Sequence, residues 1–100
     1  MDDTMLMALV VCDAGVSEQI IEMFLAEGAS YSVLHGAYGN GESGRRENTP
    51  VWPGVNVVIL SALTETQKQA VHARFEALRR QRAPRHVPLR MFTWPLQESL

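Results

Sequence analysis

The sequence predicts an α+β sandwich: one sheet of four antiparallel strands with two helices on a single face. Three observations predict it. The apolar patterns run β-α-β, then a long loop, then β-α-β again, which is the order of the split βαβ, ferredoxin-like sandwich with strands arranged 4-1-3-2. That topology makes strands one and three central, and those are the two most apolar segments of the chain. Finally, 100 residues, 46% of them apolar and 20% charged, suffice for one core and not for two. A single domain spanning 1–100 is expected, and a two-domain enzyme is excluded.

Each element has its own reason. Met5 to Cys12 (MLMALVVC) is almost continuously apolar, the pattern of a strand buried on both faces. Ser17 is the expected N-cap of the first helix, with Glu18 in its first turn. Val16, Ile20 and Phe24 recur at four-residue spacing with Ile21 and Leu25 beside them, and Gly28 stands at the C′ position. Tyr31 to His35 reads as the second strand, of moderate hydrophobicity. Val55 to Leu60 (VNVVIL) is a β-branched third strand. Thr64 and Gln67 form a capping box for a helix that lines up Val71, Phe75 and Leu78 and stops at Pro84. Leu89 to Thr93 (LRMFT) is the last strand.

Two helices cover one face of a four-stranded sheet, yet the first strand is apolar on both. Leu6, Ala8 and Val10 point one way; Met5, Met7, Leu9 and Val11 point the other. With Val57 and Ile59, or Val58 and Leu60, alongside, the second face would be a large exposed patch on a monomer. Other copies of the chain are the simplest cover, so a homo-oligomer is expected.

Composition narrows the partners. Eleven acidic and 9 basic residues give a net charge of −2, so bulk charge favours no polyanion. Strands one and three carry no aromatic residue on which a base could stack, which argues against RNA and nucleic acid in general. The apolar run Met5–Cys12 is far short of the ~20 residues of a membrane helix. Asp2 and Asp3 stand where a signal peptide is basic. Cys12 is the only cysteine, which precludes an internal disulfide and suits a reducing compartment. The cytoplasm is the expected location.

Between strands two and three, Gly36 to Gly54 (GAYGNGESGRRENTPVWPG) shows no helical or strand period and holds five of the seven glycines. A hairpin needs two to about five residues, so a loop this long is expected to be functional, with Gly39 to Thr49 mobile in the free protein and Trp52-Pro53 held by packing. Gly39 to Gly44 spells G-x-G-x-x-G, but no helix start follows, so the dinucleotide mechanism does not apply. Between Arg79 and Arg90 stand Arg79, Arg80, Arg82, Arg85, Arg90 and His86, with no acid. Arg79 and Arg80 suit the C-terminal end of a helix dipole. Arg82, Arg85 and Arg90 straddle the turn into the last strand and read as an anion site. Cys12, His35, His72 and His86 fit no metal-ligand spacing. No nucleophile–base pattern or carboxylate pair is present, so a binding protein is expected rather than an enzyme, with no catalytic residue and no required cofactor.

The β-α-β repeat, the long loop, and His35-Gly36-Ala37-Tyr38-Gly39 leading to Trp52-Pro53-Gly54-Val55-Asn56 resemble the PII-like family of trimeric signalling proteins along essentially the whole chain. The resemblance implies a homotrimer, nucleotides in clefts between subunits, and loop 36–54 as the effector arm that docks on a target transporter or enzyme. It places ligand contacts at His35, Gly36, Ala37, Tyr38, Gly39 and Gly41 and at Arg82, Arg85 and Arg90, and partner contacts at Arg45, Arg46 and Trp52. The modified loop tyrosine and the glycine–lysine motif before the last strand are absent, so 2-oxoglutarate sensing and uridylylation are not implied. The sequence is similar to the branch associated with carboxysomes and inorganic carbon uptake, which makes ADP or AMP, with bicarbonate, the expected effectors. CutA-type trimers share the fold and supply the alternative, a divalent-metal-binding protein.

Overall fold

In the computed structural model, which describes residues 5–37, 39–41, 44–46 and 56–100, the described residues form eight elements. They are β1 (Met5–Asp13), α1 (Ser17–Ala26), β2 (Ser32–Ala37), β3 (Gly39–Gly41), β4 (Gly44–Arg46), β5 (Asn56–Thr64), α2 (Glu65–Arg82) and β6 (Leu89–Pro95). The main sheet is ordered β2-β5-β1-β6 with every neighbouring pair antiparallel, the predicted arrangement. Its two central strands, β5 and β1, are the most apolar segments. Each outlasts its sequence boundary, and β5 runs on through Ser61-Ala62-Leu63-Thr64.

Alternation sorts the strands into two faces. Ala8, Val10 and Cys12 of β1, with Val57, Ile59 and Leu63 of β5, pack beneath Ile20 and Phe24 of α1 and Val71, Phe75 and Leu78 of α2. Phe24 and Phe75 meet edge to face, with ring centroids 6.2 Å apart at 75°, and so join the helices over the sheet. On the other face the rows across the sheet read Leu34–Val58–Val11–Arg90, then Ser32–Leu60–Leu9–Phe92, then Ala62–Met7–Trp94. Leu34, Phe92 and Trp94 are 57%, 49% and 44% exposed. Val58 and Leu60, not Val57 and Ile59, therefore join the open face.

The helix ends follow local chemistry. Thr64 Oγ1 accepts from the Gln67 N–H at 3.0 Å while Gln67 Oε1 accepts from the Thr64 N–H at 2.9 Å, the expected capping box. Glu65 in that first turn is held below the usual carboxylate range by its bond to Lys68. At the end of α1, Gly28 adopts φ 70°, and the N–H groups of Gly28 and Ala29 donate to Leu25 and Phe24 in a Schellman motif. Ser17 is not the N-cap. Val16 holds that position without a side-chain cap, and Ser17 is buried in the first turn with its hydroxyl donating to the Ala14 carbonyl. Asp13 shapes the turn instead, its carboxylate accepting from the Gly15 N–H at 2.9 Å.

The connection between β2 and β5 also departs from expectation. It is not structureless: β3 and β4 form a two-stranded ribbon in which Gly39 pairs with Arg46 and Gly41 with Gly44. Backbone pairing needs no alternating side chains, so a glycine-rich strand leaves no period-two signal. Trp52 and Tyr38 lie outside the described residues.

Candidate functional site

The arginine-rich turn is built by the last turn of α2. The Ala83 N–H donates to the carbonyls of Arg79 and Arg80, and the Arg85 N–H to that of Arg82 at 2.9 Å. The Arg79 guanidinium donates to the Leu89 carbonyl, so Arg79 ties the helix to β6 rather than simply decorating the helix end. Arg82 Nη2 donates to Gln19 Oε1 at 2.9 Å. Outside this frame a cleft of about 540 Å³ is lined by Gln81, Arg82, Ala83, Pro84 and Arg85. Among the described residues, Arg80 and Arg85 make no side-chain hydrogen bond or ion pair. The forked guanidinium donors of Arg82 and Arg85, with no carboxylate among the lining residues, give the cleft the chemistry to accept an anion.

The other sequence-predicted contacts stand elsewhere in the chain. His35 is exposed near the end of β2, and Gly36, at φ 75°, occupies the place where the β2 register shifts between Leu34 and Ala37. That left-handed conformation favours glycine, because a side chain there would strain the backbone. Ala37 ends β2, Gly39 and Gly41 bound β3, and Arg45 and Arg46 lie on β4. Arg90 sits on the open face of β6, its guanidinium 5.4 Å from the centre of the Phe92 ring, and it is not part of the cleft lining. Arg82 and Arg85 are thus brought together; the glycine segment is not brought to them.

The register shows how the two groups are related. The ends of β2 and β1 and the starts of β5 and β6 share one end of the sheet, because Ala37 pairs with Asn56, Asn56 with Asp13, and Cys12 with Leu89. But β2 and β6 are its opposite edges, three strand spacings or roughly 14 Å apart. Among the described residues no further strand pairs with either edge.

Sequence reasoning missed Gln19. The helices run antiparallel, since Gln67 Nε2 donates to the Glu27 carbonyl at 3.0 Å at one end and Arg82 meets Gln19 at the other. A polar residue in the first turn of α1 therefore faces the last turn of α2, a relation that the topology alone implies.

The candidate metal ligands do not converge. Among the described residues no three His, Cys, Asp or Glu side chains come together. His72 is exposed with Glu76 at 3.7 Å, and Cys12 is buried in the core. Burial, aided by the charge of Asp13, pushes the Cys12 thiol up to about 11. The folded state thus holds this proton more tightly than the unfolded chain, whose thiol titrates at its ordinary value of 9.0. The resulting stabilisation is complete below that value and is lost as pH rises through the folded one. Denaturant midpoints measured from pH 8 to 11 should fall more steeply for the wild type than for Cys12→Ala. At pH 8 the native thiol should resist a thiol reagent that labels the unfolded chain at once.

No helix among the described residues is long and apolar enough to cross a membrane. No family model matches the sequence, and no curated protein matches it. Solved structures do match its fold. CPII, a nitrogen regulatory PII-like protein from Thiomonas intermedia K12 bound to ADP, AMP and bicarbonate, superposes with a TM-score of 0.69 at 12% identity, covering 92% of this chain and 87% of that one. A DUF3240 family protein from Shewanella baltica OS155 gives 0.70 at 13% identity, covering 99% and 96%. Arabidopsis thaliana PII bound to citrate gives 0.65 at 15% identity, covering 95% and 79%. The chain has the fold of the PII-like proteins.

Proposed function

We propose that the protein is a PII-like regulatory protein of the cytoplasm, a single domain that assembles as a homotrimer. It binds an adenine nucleotide, ADP or AMP, with bicarbonate as a co-ligand, in the clefts between subunits. Loop 36–54 carries the signal to a target protein, with Arg45, Arg46 and Trp52 as its contacts. The observation that carries this reading is that His35, Gly36 and Ala37 end one edge strand, while the Arg82–Arg85 turn leads into the opposite edge strand at the same end of the sheet. When copies assemble edge to edge, the His35–Ala37 end of β2 in one subunit faces Arg82, Arg85 and Arg90 of the next, and the glycines that follow extend that side of the cleft. Glycines let the backbone approach an anion closely, and arginines supply charge-assisted bonds. The apolar rows through Leu60–Leu9–Phe92 and Met7–Trp94 supply the surface that such assembly buries. The ligands bound by structures of the same fold, ADP, AMP and bicarbonate in one and citrate in another, are all anions.

Calorimetric titration with ADP, AMP and bicarbonate tests the reading. A charge-assisted hydrogen bond contributes about 1.5–3 kcal/mol, so Arg82→Ala or Arg85→Ala should weaken binding roughly ten- to a hundredfold. Arg80→Ala should leave it unchanged. Arg79→Ala is no control, because its bond to Leu89 shapes the turn. If Arg82→Ala, Arg85→Ala and Arg90→Ala all bind as wild type does, the effector site lies elsewhere.

A further inference from the structure

We propose that Gln19 is a positioning residue of the anion cleft, holding Arg82 ready for ligand; this rests on the anion-binding role proposed above. Among the described residues, Gln19 is the one side-chain partner of Arg82, at 2.9 Å. Its place is fixed from a distance. At the far end of the helix pair, Arg74 grips the Glu27 carboxylate at 2.8 and 2.9 Å, and Gln67 donates to the Glu27 carbonyl at 3.0 Å. Those contacts set α1 beside α2, so the first turn of α1 lies against the last turn of α2.

The chemistry of the contact distinguishes positioning from simple bracing. α1 is an acidic helix, with Glu18 and Glu22 both exposed, yet the residue that meets Arg82 is a neutral amide. A carboxylate there would brace the helices with an ion pair, and would also neutralise the guanidinium. The amide oxygen takes one of the five N–H donors of the guanidinium and leaves its charge uncompensated. Arg82 therefore faces the cleft with its other donors and its full charge. Because a free arginine side chain samples many rotamers, tethering one corner lowers the ordering cost when an anion binds.

The test is a double-mutant cycle with ADP as the calorimetric probe, in the presence of bicarbonate, on wild type, Gln19→Ala, Arg82→Ala and the double variant. Gln19 is exposed, so its variants should fold, and an unchanged thermal midpoint confirms it. Gln19→Ala should weaken ADP binding about three- to tenfold, the scale of ordering one freed arginine side chain. It should have no further effect once Arg82 is alanine. Gln19→Glu should weaken binding more and flatten its dependence on salt, because the new carboxylate occupies the charge that the ligand would meet. Gln19→Ala binding as tightly as wild type, or losing equal affinity with and without Arg82, overturns the proposal alone. A wild type that binds neither ADP, AMP nor bicarbonate overturns the anion-site reading, and the proposal with it.

Discussion

Replacing Leu9 by aspartate should break the proposed trimer into monomers while leaving the fold of each intact. Leu9 lies at the centre of the open face, between Leu60 and Phe92 in its row, with Met7 and Val11 along the same strand. Its side chain points away from the helices, whose core is filled by Ala8 and Val10 instead. In the monomer a carboxylate at position 9 would reach water; in an assembly that covers this face it would be buried without a partner, at a cost of several kcal/mol per site. Sedimentation velocity at micromolar concentration should show the mass of a trimer for wild type and of one chain for Leu9→Asp, with helical circular dichroism preserved. A wild-type monomer would remove the need for a second copy and with it the inter-subunit cleft.

The largest expected loss of stability is at Phe24. Its ring is fully buried and meets Phe75 edge to face, at the point where both helices and the sheet share one core. Phe24→Ala should cost about 3–5 kcal/mol in the free energy of unfolding, from lost transfer energy and the cavity left behind. Phe24→Leu should recover most of that, because it keeps the apolar volume better. Urea unfolding, with the midpoint shifting at constant slope, measures both. Exposed Leu25, one residue on and 56% accessible, should tolerate alanine with a change of less than about 1 kcal/mol.

Periodicity resolved what burial dictates. The two faces of β1, the central place of β5, and the inward stripe of Val71, Phe75 and Leu78 follow from which side chains water expels, and that information is local. The Thr64–Gln67 box and Gly28 were equally legible, since each acts within a few residues. Ser17 misled because serine before a helical stripe looks like a cap, whereas the Asp13 carboxylate had already set the turn. The β3–β4 ribbon was hidden by glycines that pair through their backbones. In the candidate site, the arginines were visible as a run without acids, but their separate duties were not. Arg79 bonds across to Leu89 and Arg82 across to Gln19, and contacts between distant segments leave no spacing to read.

Under the proposed binding between subunits, the opposite-edge placement of His35–Ala37 and Arg82–Arg85 has an arithmetic consequence. One copy carries two half-sites and no whole one, so an open row of n copies completes n − 1 sites, whereas a closed ring completes n. Ligand therefore favours closure by mass action, and closure raises apparent affinity in return. Dilution should loosen the ligand as well as the protein, and the signal is then set by two concentrations, the effector's and the protein's own.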